Sequence, residues 1–111
     1  MSLSARNWAW EIKWTRDGFE FPMKEKLTLL CLAEHENPEY GYAFPSHEKI
    51  AERTGQSTRT VQTHVKTLVM FGAVTIEKRR SEHGKWLRNI YLLKVPDSYR
   101  QKDPEWMRWN E

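Results

Sequence analysis

Apolar and polar positions alternate with a helical period up to Gly72 and with a strand period beyond it. In "FPMKEKLTLLCLAEHENPEYG" a helix is predicted to open just after Pro22, to turn Leu27, Leu30 and Cys31 inward at i, i+3, i+4, and to stop before Asn37 and Pro38. "NPEYGYAF" reads as a turn followed by a short apolar stretch. "PSHEKIAERTG" then offers Ser46 as N-cap, Ile50 and Ala51 as inward residues and Gly55 as terminator, which makes a short second helix. Ser57 caps a third helix, in which Val61, Val65, Leu68 and Val69 form one apolar stripe before Gly72 ends it.

After Gly72, "AVTIEKRR" and "WLRNIYLLKV" are rich in β-branched and aromatic residues, and "SEHGK" between them holds Gly84 for a hairpin loop. Three helices followed by a β-hairpin make an α+β, mostly helical fold. The second and third helices with the short turn between them read as a helix-turn-helix: Ala51 is small where the helices cross, Gly55 permits the turn, and Val61 packs beneath both. Any pair of antiparallel helices can show those three residues. The exposed faces therefore carry the distinction.

The segment "FPSHEKIAERTGQSTRTVQTHVKTLVMFGAVTIEKRR", followed by "NIYLL", resembles the winged helix-turn-helix domains of phage and plasmid replication and regulatory proteins. The matching features are Phe44, Pro45 and Ser46 at the start, the Ile50-Ala51 pair, Thr54-Gly55 before Ser57, and Arg59-Thr60-Val61. They continue with the run from Leu68 to Gly72 and with Asn89, Tyr91 and Leu93 at the end of the wing. The likeness covers roughly residues 22–94, and "NWAWEI" upstream looks like the approach segment of some such proteins. It implies a winged helix that binds DNA and leaves open which DNA process is served.

The chain of 111 residues is expected to form a single domain: a Trp-rich N-terminal segment (1–21), the winged-helix core (22–94) and a C-terminal segment with further Trp (95–111). A net charge of +3 says little by itself. Its distribution says more, because residues 57–94 hold 8 Lys and Arg against 2 acids, whereas the stretches before and after are each slightly acidic. Residues 54–68, which lead into that basic third, contain no carboxylate at all.

With the Val and Leu stripe turned inward, Thr58, Arg59, Gln62, Thr63 and Lys66 are left on the outer face of the third helix as candidate base-reading residues. Arg bonds guanine O6 and N7 through two donors, and Gln offers adenine a donor and an acceptor. Ser57, Thr58 and Thr60 suit phosphate contacts at a helix N-terminus, as does Ser46 at the helix before it. A merely solvated face mixes signs and uses Glu to Lys pairs, which this one lacks. His64, near the core edge, is expected to be a packed structural histidine. In the hairpin, Lys78, Arg79, Arg80, Lys85 and Arg88 are candidate contacts to the DNA backbone, and Trp86 is expected to pack at the wing root.

The four His stand on separate elements and only three Asp occur, so no catalytic site, metal site or cofactor is implied. No small-molecule ligand is implied either. Cys31 is alone, no apolar run is long enough to span a bilayer, and the N-terminus lacks a signal-peptide core, which points to the cytoplasm. The expected partner is double-stranded DNA, in transcription regulation or replication initiation of a phage, plasmid or bacterial element. The alternative is a non-catalytic adaptor that binds protein through the same fold. Trp8, Trp10, Trp14, Trp106 and Trp109 lie outside the core, and they are expected either to pack on the body or to form the surface of a homodimer.

Overall fold

Ser2 starts the first helix by accepting the Ala5 N–H on its hydroxyl, and α1 then runs over Leu3–Glu11. A computed structural model of the chain describes residues 2–80 and 87–110. Ala5, Trp8 and Ala9 are buried at i, i+3, i+4 against the second helix. The sequence pattern predicts no helix here, because exposed Trp10, directly after inward Trp8 and Ala9, blurs the period. Lys26 donates to the carbonyls of Trp10 and Ile12 at 2.7 and 3.1 Å, which closes the C-terminal end of α1.

Helix α2 spans Met23–His35, opening after Pro22 and stopping before Asn37 as expected. Of the three residues expected inward, Cys31 is buried, but the rest of the buried face differs. Leu29 and Leu32 are fully buried with Thr28 and Ala33, whereas Leu27 is 43% exposed and Leu30 only partly covered. Helix α2 contacts α1 on one side and the helix-turn-helix pair on the other. The apolar run from Leu29 to Ala33 fits more than one helical face, and these neighbours select the Leu29–Leu32 face.

Helix α3 (His47–Thr54) begins at Ser46, whose hydroxyl accepts the Lys49 N–H at 3.1 Å. It ends at Gly55, whose left-handed φ of 71° favours glycine. Helix α4 (Thr58–Met70) follows Ser57, whose hydroxyl accepts the Thr60 N–H at 3.1 Å. Its buried residues are Val61, His64, Val65 and Leu68. Val69 is 40% exposed and does not belong to the stripe. His64 takes that share of the inward face, because polar partners on α2 satisfy its ring nitrogens.

Strands β1 (Val74–Arg80) and β2 (Leu87–Leu93) pair antiparallel, from Val74 opposite Leu93 to Arg80 opposite Leu87. Val74, Ile90, Tyr91 and Leu93 are buried near the base, and the charged half projects outward. Ala43 adds a third, one-residue rung: it exchanges two backbone hydrogen bonds with Tyr91, at 3.0 and 2.7 Å. Helices α2, α3 and α4 with this hairpin make a winged-helix α+β fold.

Helices α5 (Asp97–Arg100) and α6 (Pro104–Trp109) return the chain to α1 and to the end of α2. Arg100 donates to both carboxylate oxygens of Glu36, at 2.7 and 2.9 Å, and to Ser4 at 2.9 Å. Asp103 accepts from the backbone N–H and the hydroxyl of Ser4, at 2.9 and 2.7 Å. The Trp106 ring lies 3.4 Å from the Arg100 guanidinium. The two ends of the chain are thus fastened together by buried, mutually satisfied polar groups.

Candidate nucleic-acid interface

Helix α4 is held between α2 and α3 by its Val61, Val65 and Leu68 side, so its opposite side faces out. Thr58, Arg59, Gln62, Thr63 and Lys66 are all exposed there. The Thr63 hydroxyl donates back to the Arg59 carbonyl at 3.2 Å, and the Thr67 hydroxyl to the Thr63 carbonyl at 3.0 Å. Of these outward groups, Arg59, Gln62 and Lys66 are the longest and reach furthest from the helix.

Helices α2, α3, α5 and α6 each place an Asp or Glu in the first turn; α1 and α4 place none. A carboxylate there stabilises a helix by about 0.3–1 kcal/mol through the backbone dipole. Helix α4 leaves that position open and keeps its positive end available to an external anion. Ser57 and Thr60 are joined at this end, the Ser57 hydroxyl donating to Thr60 Oγ1 at 2.9 Å.

The pose of α4 is set by a buried polar chain that the sequence did not signal. Gln56, in the turn, donates to Thr28 Oγ1 at 3.1 Å and to Thr54 Oγ1 at 2.8 Å. Thr28 Oγ1 lies 2.9 Å from His64 Nδ1, and His64 Nε2 lies 3.5 Å from Glu25. The Thr28 oxygen thus accepts from Gln56 and shares a second hydrogen bond with the His64 ring, whose other nitrogen faces Glu25. His64 is thus a packed structural residue, and the turn is fastened to α2 and α4 together.

The wing divides its cations between two faces, because opposed residues of an antiparallel pair share a face. Lys78 and Arg80 lie with Asn89 and Leu87, on the face shared with core residues Val74 and Tyr91. Arg79 and Arg88 oppose each other on the other face. Arg79 pairs with Glu77 at 3.1 Å and lies 4.9 Å over the Tyr42 ring, and Arg88 lies 4.5 Å over Phe44. These contacts relieve the repulsion of two opposed arginines. Lys85 and Trp86 lie outside the described residues. Ser46 is exposed, with its hydroxyl engaged as the α3 cap.

Sequence reasoning missed the aromatic partners of the wing. Tyr40, Tyr42 and Phe44 form a ring cluster with centroids 5.6–6.1 Å apart, beside β2. Alternation around Ala43, with Tyr42 and Phe44 to one side and Ala43 to the other, was the available signal. The terminal Trp residues fall into two groups: Trp8 is buried and Trp106 is packed on Arg100, whereas Trp10, Trp14 and Trp109 are exposed.

Residues 20–73 match a family model described as a helix-turn-helix domain. The match covers α2, α3 and α4 and stops at the base of the wing. No curated protein matches the chain.

Proposed function

We propose, on the premise that residues 20–73 belong to the helix-turn-helix domain family and bind DNA, that α4 reads duplex DNA in a sequence-specific manner from the major groove. The observation that carries this reading is the exposed, acid-free face of Thr58, Arg59, Gln62, Thr63 and Lys66 on a helix whose other face is fully packed. Arg59 and Gln62 are its base readers. Ser46, Ser57, Thr60 and the wing cations Lys78, Arg79, Arg80, Lys85 and Arg88 hold the sugar-phosphate backbone.

The role served is transcription regulation or replication initiation of a phage, plasmid or bacterial element, in the cytoplasm. Both roles need this groove-reading surface. Residues 1–111 act as one unit, in which α1, α5 and α6 brace the winged helix. A homodimer on paired half-sites forms through the exposed Trp10 and Trp14; sedimentation of Trp10→Ser at several concentrations tests it, and an unchanged mass would reject it.

Binding selection from random duplexes tests the main reading. Arg59→Ala is expected to cost about 1–3 kcal/mol on the preferred site and to flatten preference at one base pair. Neutralising Lys78, Arg79 and Arg80 together is expected to weaken all duplexes alike and to lower the log–log salt slope by roughly 0.9 for each phosphate that is no longer neutralised. If wing neutralisation alters base preference while Arg59→Ala weakens binding uniformly, α4 is not the reading element.

A further inference from the structure

Between the start of α3 and strand β2 lies an open crevice of about 340 Å³, bounded by Phe44, Pro45, His47, Leu87, Arg88 and Asn89. Its described lining residues include no carboxylate. Two of its walls are apolar and accessible: Phe44 is 37% and Leu87 is 53% exposed. Arg88 stands in its wall as a cation, with its guanidinium 4.5 Å from the Phe44 ring.

This combination is specific in its chemistry. A phosphate alone has no use for exposed phenyl and leucyl walls, and an apolar peptide gains nothing from a guanidinium. A nucleotide uses both: its planar base lies against an aromatic ring and its phosphate meets the guanidinium. The Asn89 amide carries a donor and an acceptor suited to a base edge. Tyr40, 55% exposed and 6.1 Å from Phe44, adds an accessible ring beside the crevice. Bases within a duplex are stacked and paired, so a base entering this crevice is unpaired.

We infer that the crevice binds an unpaired nucleotide of a single strand, so that the protein engages junctions between duplex and single-stranded nucleic acid. The duplex half of this statement rests on the reading of α4 given above; the single-strand half does not.

Fluorescence anisotropy tests it with three labelled probes: oligothymidylate, a blunt duplex carrying the selected site, and the same duplex with a single-stranded thymidine tail. Oligouridylate as a fourth probe distinguishes RNA from DNA as the source of the strand. The protein is expected to bind oligothymidylate and to prefer the tailed duplex. Phe44→Ala is expected to weaken oligothymidylate binding about tenfold, as removal of one stacking ring does. It should abolish the tail preference and leave the blunt duplex within about twofold. Leu87→Ser, at an exposed position whose change leaves the core intact, is expected to act in the same direction. Arg59→Ala is expected to do the reverse, weakening both duplex probes and leaving oligothymidylate binding unchanged. Absence of oligothymidylate binding, or binding that both crevice variants retain while melting like the parent, overturns the inference. If the blunt duplex is not bound while the crevice variants still lose oligothymidylate, the α4 reading fails and the crevice assignment stands.

Discussion

Thr28 on α2 and His64 on α4 share a 2.9 Å hydrogen bond between Oγ1 and Nδ1, in a site where Thr28 is fully buried and His64 nearly so. Gln56 donates to the same hydroxyl from the turn. One oxygen therefore ties together the helix that presents the exposed face, the turn before it and the central helix beneath. Rotation of α4 about its axis breaks this bond, so the orientation of Arg59 and Gln62 depends on it.

Thr28→Val keeps the volume and removes the hydroxyl, leaving His64 Nδ1 and one Gln56 donor without their partner. Burying such unsatisfied groups costs about 1–3 kcal/mol. Denaturant unfolding is expected to show that loss, together with weaker duplex binding. Full stability in Thr28→Val would mean that the bond does not hold α4 in place.

The Arg100 and Glu36 pair gives a larger effect. Glu36 is fully buried and accepts from two guanidinium nitrogens, so Glu36→Ala strands a buried cation at a cost of about 3–5 kcal/mol. Thermal melts are expected to show the shift. Replacing both residues by apolar ones of similar volume is expected to restore much of the loss, and a double variant no better than the single one would contradict the ion-pair account.

Acid is expected to loosen the junction of the chain ends. Burial pushes the Asp103 carboxyl up, but the Ser4 hydroxyl and N–H, the Trp106 N–H and the nearby Arg100 outweigh it and hold the group below its ordinary value of 3.8. A carboxylate with a lowered folded-state pKa stabilises the fold in full above its unfolded value, and that contribution is lost as pH falls through the lower folded value. Stability is thus expected to fall on acidification below 3.8, and Asp103→Asn to be less stable at neutral pH with a flatter acid limb. Parallel pH profiles for the two proteins would exclude Asp103 as the group.

Adjacent residues on α4 separate the buried from the exposed side. Leu68→Ala is expected to cost about 2–5 kcal/mol, and Val69→Ala to fall within about 0.5 kcal/mol of the parent. Equal losses at the two positions would place both in the core.

The sequence by itself determined the order of three helices and a hairpin and the ends of α2, α3 and α4. Those features rest on local chemistry: Pro22 before the first turn, the Ser46 and Ser57 hydroxyls on nearby N–H groups, and the left-handed Gly55. The outward set on α4 was legible for the same reason, since Val61, Val65 and Leu68 mark one face at helical spacing. Only the tertiary structure decided which side of α2 is buried, because the apolar run from Leu29 to Ala33 permits several faces and contact with α1 selects one. It likewise decided that Val69 yields its place to His64, a choice made by a hydroxyl on Thr28, 36 residues away in the chain. The N-terminal helix, the Arg100–Glu36–Ser4–Asp103 cluster and the rings beneath Arg79 and Arg88 belong to the same class. Each depends on groups brought together from distant parts of the chain, and such pairings leave no period in the sequence to read.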